Sequence, residues 1–329
     1  MSSACIVITT VCLATCIGAA LGQETDQRRY PTTEPVVVTA SPSGEGSYVA
    51  PEATTATKSD LPIRDIPQAI EVRSQQILED LGGRQTAYEV GRTVAGVFNA
   101  SNGAGDPGIN APVFFIRGYS NAGVYLKDGA YRIGWFSTMD MAYVDRVEFL
   151  KGPASVLYGS AIYGGNVGGV VNYVSKSPTP SAVSEIGLVA GSYDFLRATA
   201  DFGRALNPDA TAILRINAAL EQGRSIADYA RHDQQAVAPA LTLQLSPADR
   251  LTLLTDFTHA RDTPAPRLPI SPDALTVSRS RNFIDSAFAK DDFNNANAAL
   301  KYQRISATTG ASTWTTRTAM QPPTITPTL

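Results

Sequence analysis

Cysteine is confined to the start of this 329-residue chain: Cys5, Cys12 and Cys16 are the only three, and no thiol follows them. That excludes a disulfide framework and any cysteine-based metal site from the bulk of the chain. Histidine is scarcer still, with only His232 and His259, which share no ligand spacing. Charged residues are 17% of the total, the formal net charge is -3 and the pI is about 5.5. No basic field therefore exists to hold a phosphate backbone, and nucleic acid is not an expected partner. No Ser, His and Asp set and no paired carboxylates stand out, so the chain does not read as an enzyme. Long apolar runs are also missing after the N-terminus, where nothing approaches the roughly 18 residues a membrane helix needs. If the chain enters a membrane, it does so as a β-barrel.

Hydrophobic residues make up 43% of the chain, enough to bury a core. Residues 1–22 read as an export signal: Ile6 to Leu21 is apolar and short, and Ala20 and Gly22 are small residues ahead of Gln23. The Leu13, Ala14, Thr15, Cys16 stretch keeps a lipoprotein signal open as the alternative. From Gln23 to about Ser59 the composition is that of an extended arm, rich in Thr, Pro, Ser, Gly, Ala and Glu. Within it Glu34, Pro35, Val36, Val37, Val38, Thr39 and Ala40 form an isolated β-prone run. Such a run suits pairing with the open sheet edge of a partner protein, although a linker that contains valines has the same composition.

Residues 60–180 alternate short helical and strand signals and predict a compact α+β domain. Ile66, Ile70, Ile77, Leu78 and Leu81 predict a helix over Asp65 to Leu81, ended by Gly82 and Gly83. Strands are expected at Val113 to Gly118, Val124 to Leu126, Val144 to Lys151 and Val170 to Ser175. After Ser184 the period becomes two. Leu214, Ile216, Ala218 and Leu220 share one face against Arg215 and Asn217, and Leu241, Leu243 and Leu245 alternate with Thr242, Gln244 and Ser246. Tight turns at Asn207 to Asp209 and Pro247 to Asp249 contrast with long polar connections at Gln222 to Gln235 and Arg261 to Asp292. Short turns at one end and long loops at the other fit a membrane barrel; alternation alone also fits a soluble β-sandwich.

Ile116, Arg117, Gly118 and Tyr119, then Asp145 to Gly159 (DRVEFLKGPASVLYG), then Gly168 to Lys176 (GGVVNYVSK), resemble the plug signatures of TonB-dependent siderophore receptors of the ferrichrome type. Their order, their spacing and the preceding valine run agree with the N-terminal portion of that family. The resemblance implies an α+β plug followed by an antiparallel transmembrane β-barrel in the outer membrane of a Gram-negative bacterium. It identifies Glu34 to Ala40 as the box that pairs with the TonB coupling protein. Ferric siderophore is the implied ligand, with iron present only inside its chelator and no cofactor. Arg117, Tyr131, Arg132, Trp135 and Phe136 are the implied ligand contacts at the plug apex. Arg117, Arg146, Glu148 and Lys151 are the implied ionic contacts between plug and barrel; as charges inside a lumen they are expected to pair with each other or with barrel-wall carboxylates, unless water at the interface solvates them.

A plugged transporter barrel has roughly 22 strands, whereas the sequence after Val183 suffices for about six, ending near residue 305. Residues 306–329 are Thr- and Pro-rich and are expected to be irregular. The barrel is therefore expected to be incomplete, with a plug-only binding module or an inactive gene product as alternatives to a transporter.

Overall fold

The computed structural model describes residues 48, 50, 52–58, 61–81, 87–99, 113–121, 124–133, 139–159, 167–263, 276–278, 280–282, 291–305, 312–320 and 324–325. The export signal, the Glu34 to Ala40 box, Trp135 and Phe136 lie outside these residues.

Two short strands, β1 (Glu52–Ala53) and β2 (Leu61–Pro62), open the fold. They are followed by β3 (Ala69–Ser74), β4 (Val97–Asn99), β5 (Phe114–Ile116), β6 (Tyr119–Ser120), β7 (Val124–Lys127), β8 (Ala130–Ile133), β9 (Val144–Lys151) and β10 (Gly169–Ser175). Five of these form one sheet in the order β3, β9, β10, β7, β8, with only the β10 and β7 pair parallel. Each face of the sheet buries a different set. Tyr125, Val147, Phe149, Val171 and Tyr173 pack with Leu78, Val90, Val94 and Phe114. On the opposite face Leu126, Leu150 and Val170 pack with Ala53, Ala56, Ile66 and Ala154. A sheet covered on both faces explains the adjacent apolar residues Phe149 and Leu150 of β9 and Val170 and Val171 of β10.

The helix expected over Asp65 to Leu81 is a correction. Only Gln75–Asp80 is α-helical, and Ala69–Ser74 is β3, paired in register with β9 from Ala69 opposite Lys151 to Ser74 opposite Arg146. Ile66 and Ile70 do share an apolar cluster, but the edge of β9 offers six residues of ladder that a helix there would leave unpaired.

Strands β11 (Val183–Gly191), β12 (Phe195–Ala205), β13 (Ala212–Arg224), β14 (Arg231–Gln244), β15 (Asp249–Asp262), β16 (Asp291–Ile305) and β17 (Ser312–Met320) form an antiparallel wall in sequence order, with β18 (Thr324–Ile325) also against β16. The connection expected from Gln222 to Gln235 shrinks to residues 225–230, because both flanking strands continue with Arg224 opposite Arg231. The tail expected to be irregular contains β17. Its STWTTRTAM segment is β-prone and free of proline, and Pro322 and Pro323 lie just beyond it.

The wall is patterned opposite to a soluble sheet. Its buried face carries Arg197, Asp201, Arg215, Asn217, Glu221, His232, Gln234, Asp256 and Asn295. Its other face presents Leu196, Leu220, Leu253, Phe257 and Leu300, with Ile186 69% and Leu188 74% exposed. A sandwich would bury those leucines against a second sheet; here they point away from the protein, as a lipid-facing surface requires. The alternation read from sequence is thus resolved in favour of the barrel wall.

Gly169 fixes where β9 and β10 meet. It sits at φ +144°, and a Cβ there would lie 2.1 Å from the Leu150 carbonyl oxygen. Gly169→Ala is expected to destabilise the plug by about 2 kcal/mol or more. The check is the urea midpoint of the detergent-solubilised chain. Gly203→Ala, in ordinary strand conformation with its nearest atom at 3.4 Å, is expected to leave that midpoint nearly in place.

Candidate functional site

The plug meets the wall through buried charges, and the local fold explains how each is held. Asp140 precedes a single 3-10 turn, Met141–Tyr143, and its carboxylate accepts from the Ala142 amide at 2.7 Å. The same carboxylate accepts two hydrogen bonds from Arg197 of β12, at 2.5 and 3.0 Å, and one from Gln234 of β14 at 2.7 Å. Arg197 also donates to Glu221 of β13 at 2.6 Å. Two wall strands therefore bond one plug carboxylate, and the strand between them holds the shared arginine. Burial alone would raise the Asp140 pKa, but the Arg197 charge and these hydrogen bonds outweigh it and hold the carboxyl below its ordinary range.

Asp128 forms a second anchor. With Gly129 it makes the two-residue turn between β7 and β8, both at positive φ, the geometry of a type I′ hairpin. Its carboxylate accepts from the Ser175 hydroxyl at 2.6 Å, the Ser175 amide at 3.0 Å and Lys301 of β16 at 2.7 Å. Burial again opposes ionisation, and Lys301 and Lys127 more than offset it, so its pKa too is lowered. Lys127 itself pairs with Asp256 of β15, which also accepts from Asn297 at 2.7 Å. At the end of β10, Lys176 donates to Asp201 at 3.0 Å, and Arg215 holds the same carboxylate at 2.8 and 2.9 Å while reaching the Ser177 carbonyl at 3.1 Å.

The residues expected to make these contacts do something else. Among the described residues, Arg146 pairs with Asp145 and Glu148, and Lys151 pairs with Glu71, all inside the plug. Glu148 is fully buried beneath the segment after β1, away from the wall. The plug-to-wall pairs are instead Lys127, Asp128, Asp140 and Lys176 with Asp256, Lys301, Arg197 and Asp201. A signal for the wall partners was present: isolated charges on the non-leucine face of alternating strands, where a lumen but no soluble core would accept them.

The expected ligand contacts are divided by the strand geometry. Tyr131 and Arg132 are consecutive on β8 and so point to opposite faces. Tyr131 packs edge-on to Tyr158, with ring centroids 6.3 Å apart, among the residues of one core. Arg132 is buried on the other face, and no hydrogen bond reaches its Nε or Nη1. Arg117 is exposed in the β5 to β6 turn at φ 53°, followed by Gly118 at φ 86°. Beside it lies a cavity of about 540 Å³ lined by Gly96, Val97, Phe98, Phe115 and Gly118. The Phe98 and Phe115 rings stand 6.1 Å apart there, and the sequence reading did not single them out. Among the described residues no group of three His, Asp or Glu side chains could hold a metal ion.

Residues 62–169 match the TonB-dependent receptor plug domain. The chain belongs to the TonB-dependent receptors. It is 32% identical over 253 residues to the metal-pseudopaline receptor CntO of Pseudomonas aeruginosa, covering 75% of this chain and 34% of that protein. It is 27% identical over 246 residues to the ferrichrome outer membrane transporter/phage receptor of Escherichia coli, covering 71% of this chain and 32% of that protein. Among solved structures, the pyoverdine outer membrane receptor FpvA of Pseudomonas aeruginosa bound to pyoverdine superimposes with a TM-score of 0.69 at 25% identity, over 80% of this chain and 39% of that one. The chain spans about a third of the length of these curated relatives.

Removing one partner of a buried ion pair costs about 3 to 5 kcal/mol. Arg197→Met is therefore expected to loosen the receptor plug strongly, and Asp140→Asn combined with it is expected to cost less than the sum of the two, by at least ~1 kcal/mol. Urea unfolding of both single variants and the double variant measures this. The acid limit follows from the lowered carboxyl pKa values of Asp128 and Asp140. Their contribution is complete above the unfolded carboxylate pKa of about 3.9 and is lost as pH falls through their lower folded values. Plug docking, followed by protease resistance, is expected to survive to about pH 4 and to fail below it.

Proposed function

We propose that this chain is the plug and first wall segment of an outer-membrane receptor that takes up ferric siderophores with energy from TonB. The observation that supports it most is the wall's inverted patterning, leucines outward and paired charges inward, wrapped against a plug domain whose relatives include ferric-siderophore receptors. Binding and mechanical gating are the whole mechanism, and no covalent chemistry is required. The chelate enters from the side of the long connections. Arg117, with Phe98 and Phe115 beside it, offers one cation and two aromatic faces to an anionic, oxygen-rich ligand. Trp135 and Phe136 of the apical segment are proposed to add stacking surface. Iron arrives inside its chelator.

On the periplasmic side Glu34 to Ala40 adds as a strand to the coupling protein, where backbone hydrogen bonds supply affinity without a preformed pocket. Deleting Glu34 to Ala40 from a receptor carrying this plug is expected to abolish ferric-siderophore uptake by iron-starved cells while leaving ligand binding at the surface. Uptake that persists after the deletion would sink the coupling assignment.

A further inference from the structure

The polar attachments of the segment that follows the arm centre on one residue. Thr55 is fully buried, and each of its polar atoms is held. Its amide donates to Glu148 Oε2 at 2.8 Å and its hydroxyl to the same oxygen at 2.6 Å. Asn172 Nδ2 donates to the Thr55 hydroxyl oxygen at 2.9 Å, and the Tyr158 hydroxyl donates to the Thr55 carbonyl at 2.7 Å. The neighbouring Thr54 amide adds a bond to Glu148 at 3.0 Å, and Arg146 Nε completes the carboxylate at 2.8 Å. Glu148 and Asn172 lie directly opposite one another on β9 and β10, two strands from the interior of the five-stranded sheet.

N-terminal to Thr54 the polar attachments of this segment are weaker. β1 and β2 share only two residue pairs, Glu52 with Pro62 and Ala53 with Leu61. The exposed Tyr48 hydroxyl reaches Asp80 at 2.5 Å in contact with water. Tension on residues N-terminal to Thr54 therefore passes those contacts and meets a buried carboxylate. If the segment leaves, Glu148 keeps only Arg146 in a place that water does not reach, so release requires the apolar face around Leu126, Leu150 and Val170 to wet as well.

We propose that Thr55, gripped by Glu148, Asn172 and Tyr158, is where a pull on the N-terminal arm enters the plug sheet, and that Glu148 is a positioning residue that sets the tension at which the plug opens. This rests on the reading that the arm is pulled. The test is single-molecule extension of the chain held by its wall strands, tethered either at the arm or at the exposed Ser181 beyond the plug. Glu148→Gln keeps the shape but replaces one of the two acceptor oxygens with an amide donor and removes the charge. It is expected to lower the opening force from the arm, to leave the force from Ser181 unchanged, and to speed amide exchange at Thr54 and Thr55 roughly tenfold. Thr55→Val, which removes only the hydroxyl, should give a smaller loss along the same path and covers the case in which Glu148→Gln does not fold. An unchanged opening force from the arm in Thr55→Val, or equal losses from both tethers, overturns the proposal. Its failure is separable from that of the coupling assignment, because the Glu34 to Ala40 deletion is read by uptake and not by force.

Discussion

A carboxylate that water cannot reach must be answered by cations and donors of the protein itself, and Asp140 is answered by Arg197 of β12 and Gln234 of β14, with Glu221 of β13 holding Arg197 in turn. That requirement orders much of the rest. Arg197, Glu221 and Gln234 can meet one point only if β12, β13 and β14 keep their register, with Arg197 opposite Glu221 and Glu221 opposite Gln234. A one-residue slip would turn those side chains outward and bring leucines in. The same groups that dock the plug therefore also specify the register of the wall.

The wall's charges recur at several levels: Asp140 with Arg197, Lys127 with Asp256, Asp128 with Lys301, and Lys176 with Asp201. Each side supplies both signs, so neither plug nor wall carries a one-signed face that would repel its own neighbours. Between these levels small apolar residues close the contact. Ala219, Ala236 and Ala238 of the wall pack into the same cluster as Phe114, Phe149 and Tyr173 of the plug. Alanine there lets the strands approach, while the outward positions of the same strands carry Leu220 and Val237.

The period of two after Ser184 made the wall legible, and the motif from Asp145 to Gly159 placed β9 to the residue. What escaped did so for physical reasons. Lys127 and Asp256 are 129 positions apart and Asp128 and Lys301 are 173 apart, so no local pattern links them. Ala69–Ser74 contains apolar residues at spacings that serve a helix or a strand, and only the ladder with β9 decides. The resemblance groups Tyr131 and Arg132 as one ligand surface at the plug apex; a strand separates such neighbours onto opposite faces. The charged motif residues Arg146, Glu148 and Asp145 were legible as pairing with each other, one of the two options the motif left open, but Glu71 as the partner of Lys151 was not.

The short stretch Ser175, Lys176, Ser177 is bonded to Asp128, Asp201 and Arg215 before the chain turns into β11. The plug is thus moored at its exit by the wall it leads into, and a load arriving from the opposite end works against a fixed berth. Its two ends are held by different partners: the leading one, at Thr55, by the plug sheet itself, and the trailing one, at Lys176 and Ser177, by the wall.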